Sequence, residues 1–93
     1  MRSWLAEGDG KTYLLFECPA CGSAHSAVVK GPKEPVWGWN GSLDAPTLTP
    51  SVRCRWGQEL EFVCHFFVTD GTIAYCDDCT HSMRGVHPLP VVE

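Results

Sequence analysis

Six cysteines and four histidines supply most of the reactive side-chain chemistry in this chain of 93 residues. Residues 64–81, CHFFVTDGTIAYCDDCTH, hold three of those cysteines and two of the histidines. A second cluster, Cys18-Pro19-Ala20-Cys21-Gly22, lies far upstream. The pairs Cys18/Cys21 and Cys76/Cys79 are both CxxC motifs, and thiolates in that spacing are the donor set of zinc. Each motif places two sulfurs on one knuckle, and two knuckles complete a tetrahedron with sulfur about 2.3 Å from the ion. Pro19 stiffens the first knuckle, and Gly22 permits the positive φ that turns backbone N–H groups towards thiolate sulfur.

Cys64, His65 and His81 lie close enough in sequence to compete for the same ion. Cys18/Cys21/Cys76/Cys79 and Cys18/Cys21/His65/Cys79 are the sets to weigh, with His81 or Cys76 as replacements, and spacing alone favours the four-cysteine set. A shell of four protein ligands is structural. A shell of three with a bound water is hydrolytic, because the ion lowers the pKa of that water towards 7. Such a hydrolase needs a general base, for which Asp77, Asp78 and the uncoordinated one of His65 and His81 are candidates; Asp78 and His81 are the catalytic pair expected. No histidine or cysteine is followed two places later by glutamate, which excludes a zinc deaminase, and HExxH is absent. Cys64 beside His65 looks like a nucleophile and its base, but neighbouring strand residues point to opposite faces and cannot meet.

These groups need elements to hold them. No window shows the i, i+3, i+4 apolar pattern of a helix. Residues 12–17 (TYLLFE) and 24–30 (AHSAVVK) read as strands flanking the first knuckle, and 51–56 (SVRCRW) alternates as a half-buried strand. Residues 60–68 (LEFVCHFFV) and 72–76 (TIAYC) are joined through Asp70-Gly71, a strong hairpin signal. With a two-residue loop, Phe67 faces Ala74, Phe66 faces Tyr75 and His65 faces Cys76. The stretch GPKEPVWGWNGSLDAPTLTP (31–50) is too apolar for a linker. It reads as a hairpin or ordered loop laid over the sheet, with Trp37 and Trp39 as core, and Asn40, Asp44, Thr47 and Ser51 as the polar groups of a pocket if it lies near the metal. His25 is expected beside the first knuckle, Cys54 is expected to act as a small hydrophobe, and the tail HPLPVVE is expected to add an edge strand.

Composition sets the scale. An apolar content of 44% with four tryptophans argues for a folded domain. A single domain over 1–93 buries about two-thirds of its unfolded surface, so a staple is expected. The N-terminus has no apolar stretch of a secretory signal, and no segment approaches the roughly 20 apolar residues that span a bilayer. A reducing cytoplasm is the expectation, and there paired CxxC motifs bind metal rather than form disulfides. The net charge of −4, with only seven scattered basic residues, speaks against nucleic acid as the main partner.

The blocks WGWNGSLDAPTLTPS (37–51), CHFFVTDG (64–71) and DCTH (78–81), preceded by CPACG, resemble the phage and bacterial family of small proteins classed as domain of unknown function 6527. The resemblance spans nearly the whole chain. It implies recurrent CH and DCTH elements with an apolar residue often at the position of Cys76, which favours the metal set Cys18, Cys21, His65 and Cys79, with Cys76 and His81 as alternates. The chain departs from that pattern at Ser82-Met83-Arg84-Gly85. Together these readings predict a small all-β domain, a zinc-ribbon-like antiparallel sheet built on the hairpin Cys64–Cys76. Its expected function is a zinc-binding accessory or interaction module of phage type, engaging a host or virion protein, in the host cytoplasm or on the virion. The alternative is a zinc-dependent hydrolase of amide or peptide bonds, an activity suited to those relatives placed beside bacterial ubiquitin-like conjugation genes.

Overall fold

The computed structural model describes residues 1–57 and 61–92. Eight strands run in the order β1 (Trp4–Gly8), β2 (Lys11–Glu17), β3 (Ala24–Lys30), β4 (Gly38–Trp39), β5 (Leu48–Trp56), β6 (Phe62–Thr69), β7 (Thr72–Tyr75) and β8 (Gly85–Pro88). They form two antiparallel sheets, one of order β1-β2-β3 and one of order β4-β5-β6-β7-β8. The domain is therefore small and all-β, as expected, with two sheets where the sequence suggested one. No helix among the described residues is long and apolar enough to cross a membrane.

Both tight hairpins use the same chemistry. Gly8 pairs with Lys11 and Thr69 with Thr72, so Asp9-Gly10 and Asp70-Gly71 are two-residue loops. All four loop residues have positive φ, 53° and 73° in the first and 48° and 78° in the second. That backbone matches the twist of the flanking strands. The register of the second hairpin is the expected one, with Phe66 opposite Tyr75 and Phe67 opposite Ala74. The Cys76 N–H donates to the His65 carbonyl at 2.9 Å, carrying the pairing one step further. The strand expected over 60–68 is described from Phe62; Leu60 lies outside the described residues. β1 has no signature in the sequence because all but its first residue are exposed, which leaves no alternation of apolar and polar positions. The two-residue β4 is too short to carry a pattern.

The core forms where the sheets meet. Leu14, Phe16 and Ala27 come from the three-stranded sheet, and Leu48, Val52, Phe66, Val68 and Ile73 from the five-stranded one. Phe66 lies at its centre, fully buried, stacked on His25 at 5.1 Å and meeting Phe16 edge-on at 5.7 Å. The 31–50 segment covers the core with Trp37, Trp39 and Leu43, as its apolar content suggested. Within that segment, Asn40 and Ser42 hold the loop to itself through bonds to Ala45. Thr47 receives the Asp70 N–H at 2.9 Å, which ties the loop to the second hairpin.

Gly71 carries two constraints at once. Its φ is +78°, and a Cβ there would lie 3.2 Å from Ala45 Cα and from the Asp44 carbonyl oxygen. Gly10 has a similar φ of +73°, with open space around it. Gly10→Ala is therefore expected to lose about 1–2 kcal/mol from left-handed strain alone. Gly71→Ala is expected to lose distinctly more, and denaturant unfolding of the two variants checks the difference.

Candidate active site

Strand β6 presents two different chemistries on its two faces. Cys64, Phe66 and Val68 are fully buried and point inward, whereas His65 and Phe67 point outward. On the outward face, His65 Nε2 lies 2.9 Å from Ser51 Oγ, and Nδ1 lies 2.9 Å from Asp78 Oδ1. A carboxylate only accepts, so Nδ1–H donates to Asp78. Nε2 is then left free to accept the Ser51 hydroxyl proton. This is the order of contacts in which an aspartate orients a histidine that activates a serine.

Each member has its own support. Ser51 sits where β5 is irregular: Leu48 pairs with Val68 and Val52 with Phe66, so residues 49–51 face Phe67 alone. The Trp37 indole N–H donates to the Ser51 carbonyl at 3.1 Å. Cys79 brackets the backbone of His65, its sulfur accepting the His65 N–H at 3.2 Å and its thiol donating to the His65 carbonyl at 3.1 Å. Arg53, opposite His65 in register, lies 3.5 Å from the second Asp78 oxygen. The turn bearing Asp78 is held by Arg84, whose guanidinium donates to the carbonyls of Asp77, Cys79, His81 and Met83.

The inward face meets the first knuckle. Cys18 and Cys21 follow β2, His25 lies on β3, and Cys64 reaches them from the other sheet. Their four ligand atoms lie within 4.8 Å of one another and could hold a metal ion. The Cys18 and Cys64 sulfurs are 3.9 Å apart, close to the roughly 3.8 Å that two thiolates span on a tetrahedral zinc. His25 Nε2 is buried without a hydrogen-bond partner, which is how an imidazole awaiting a ligand bond looks. Electrostatics single out one thiolate in the cluster, at Cys18. The hydrogen bond with Cys64, outweighing burial, pulls the Cys18 thiol down to about 3. The same contact and burial push Cys64 the other way. Burial opposes a charge on His25, but the Cys18 and Cys54 sulfurs prevail and raise it to about 10. Tyr75 closes the cluster, its hydroxyl 3.1 Å from the Cys18 sulfur, and burial raises its own pKa.

The expected metal residues thus divide. Cys18 and Cys21 come together with Cys64 and His25. His65 and Asp78 are grouped with Cys76, and Cys79 and His81 with Cys64, whose sulfur is 3.4 Å from His81 Nε2. Among the described residues no group unites Cys18, Cys21, His65 and Cys79. Of the catalytic candidates, Asp78 contacts His65, while His81 packs edge-on against Tyr75 on the buried side. In the sequence Ser51 stands out only as a polar group for a pocket. Separations of 14 and 13 residues among Ser51, His65 and Asp78 form no local motif that could have revealed them. The sequence puts His25 near the knuckle but carries no signal for its role in the cluster.

Fold and site together define an all-β domain with a serine–histidine–aspartate constellation on one sheet and a thiol–imidazole cluster behind it. The model of the family described as "Bacterial ubiquitination-like system serine protease (BubE)" matches residues 2–76, and the chain belongs to that family. This corrects the assignment to the phage family of unknown function 6527: the matched region contains the CPACG, WGWNGSLDAPTLTPS and CHFFVTDG blocks on which that resemblance rested. No curated protein and no solved structure matches the chain.

The hydrogen bond from His65 holds the Asp78 carboxyl below its ordinary value, with Arg53 adding to the shift. A lowered folded-state pKa gives stability that is present above the unfolded value, about pH 4, and is lost as pH falls through the folded one. Asp78→Asn should therefore unfold at a lower temperature than the parent at about pH 6, with the gap closing in acid. Thermal unfolding of both proteins across that range measures it.

Proposed function

We propose that this chain is a serine-type peptidase acting on a protein substrate in a bacterial ubiquitination-like system, with Ser51 as nucleophile, His65 as general base and Asp78 as its orienting carboxylate. The observation that carries the proposal is the pair of 2.9 Å contacts by which one imidazole joins Ser51 Oγ to the Asp78 carboxylate. The description of the family adds independent support. In the first half-reaction Ser51 Oγ bonds to the scissile carbonyl carbon while its proton passes to His65 Nε2. Asp78 stabilises the imidazolium, which then protonates the departing group as the acyl bond breaks. A water deprotonated by His65 attacks the Ser51 ester in turn and frees the enzyme.

The metal belongs to the other face. We assign zinc to Cys18, Cys21, His25 and Cys64, in keeping with three soft thiolates and one imidazole. Four protein ligands leave no position for a reactive water, so the ion is structural, and its place between the sheets suits that role. It would hold Cys64, and with it the β6 backbone from which His65 projects. A cytoplasmic setting, where thiols stay reduced, accords with six free cysteines.

Two experiments test this reading. A fluorophosphonate should label the protein once, at Ser51, as located by peptide mass. Ser51→Ala should abolish labelling, and Asp78→Asn should slow it by about 10³–10⁴-fold. Labelling elsewhere, or unaffected by Ser51→Ala, would overturn the nucleophile assignment. Elemental analysis should find one zinc per chain, lost in Cys64→Ser and reduced in His25→Gln, yet retained in Cys79→Ser and His81→Ala. Chelation should abolish the cooperative thermal transition. Retention of zinc by Cys64→Ser would remove the assigned ligand set.

A further inference from the structure

The outward face of the five-stranded sheet differs sharply on the two sides of His65. On one side lie Arg53, Asp78 and the exposed Asp77. On the other lies Phe67, half-exposed, directly across from the irregular stretch of β5 that contains Ser51. Its ring stacks against that of His65, 6.5 Å between centroids and 27° between planes. Beyond it the cross-strand neighbours continue the apolar surface: Phe67 pairs with Ala74, and Ala74 pairs with Val86, which is 66% exposed. Strands lie about 4.8 Å apart, so these three side chains form a shelf about 10 Å long, starting at the nucleophile. Apolar groups left in water this way lose the stabilisation that burial would provide. Whatever chain presents its carbonyl to Ser51 must lie beside this shelf.

We propose that Phe67, Ala74 and Val86 form the specificity surface of the site, which receives an aliphatic or aromatic side chain on the substrate residue that carries the scissile carbonyl. The proposal rests on the assignment of Ser51 as nucleophile. Phe67 is the principal determinant, because its ring stacks on the side of the catalytic imidazole and it stands across from the irregular stretch of β5 that contains Ser51. Ala74 is small, which leaves a shallow seat between Phe67 and Val86 for a branched side chain. The acidic and cationic groups on the far side of His65 give an apolar side chain no comparable contact.

The test uses the intact protein and 4-nitrophenyl esters of N-acetylglycine, N-acetylleucine and N-acetylaspartate. Acylation of Ser51 is followed by nitrophenolate release and by mass. The leucine ester should acylate Ser51 about tenfold or more faster than the glycine ester, the range a hydrophobic seat provides. The aspartate ester should be the slowest. In Phe67→Ser the leucine-to-glycine ratio should fall to within about threefold of one. The glycine ester, which makes no use of the shelf, is the reference in each variant, so any change in the reactivity of Ser51 or His65 cancels from the ratio. Val86→Asp should lower the ratio as well, and because Val86 is largely exposed this variant keeps the fold. An unchanged ratio in both variants, or no preference in the parent, would overturn the shelf while leaving Ser51 as nucleophile. If no ester acylates Ser51, or if Ser51→Ala releases nitrophenolate as fast as the parent, the nucleophile assignment fails and the shelf fails with it.

Discussion

Consecutive residues of a β-strand face opposite ways, and at Cys64-His65 that rule divides the molecule into two working halves. Cys64 turns into the space between the sheets and joins Cys18, Cys21 and His25. His65 turns outward and joins Ser51 and Asp78. The same alternation that forbids these neighbours from acting as a nucleophile–base pair lets each serve its own site. One stretch of backbone is therefore held from behind by the thiol cluster and in front by the hydrogen bonds of the triad. Cys79 binds that stretch through both the N–H and the carbonyl of His65.

The two faces answer different physical demands. Between the sheets, a domain of this size needs a staple, and thiols drawn from both sheets form a cluster that could hold a metal ion there. On the outer face the need is orientation: an imidazole must keep one tautomer and one direction. The Asp78 carboxylate supplies this, and Arg53 and Arg84 hold the carboxylate and its turn in place. The tryptophan loop reaches the same site by another route, since the Trp37 indole anchors the backbone of Ser51.

Local features were legible in the sequence, and features made by assembly were not. The first knuckle and the Asp70-Gly71 register depend on residues a few places apart, and both were read directly. The short strands β1 and β4 offered no pattern, one because its side chains are largely exposed and the other because it is only two residues long. His25 gave no sign of its role, because the packing of its ring on Phe66 is set by the meeting of two sheets. Ser51 was hidden by the irregular pairing of β5, which a simple alternation of SVRCRW does not reveal. The surplus of ligands in residues 64–81 was visible from the start. What the sequence left open was that the surplus belongs to two faces, with His65 and Asp78 on one and Cys64 on the other.

The back-to-back arrangement on β6 also limits how this family can change over time. Side-chain direction along a strand has a period of two, so inserting or deleting a single residue just before Cys64 would exchange the faces of every position after it. His65 would enter the apolar interior and Cys64 would face water, disabling both sites in one mutational step. Length variation should therefore collect in the loops between strands, while β6 varies by substitution alone. A short segment with no room for gaps, between elements that tolerate them, would be the evolutionary signature of a strand that serves two sites.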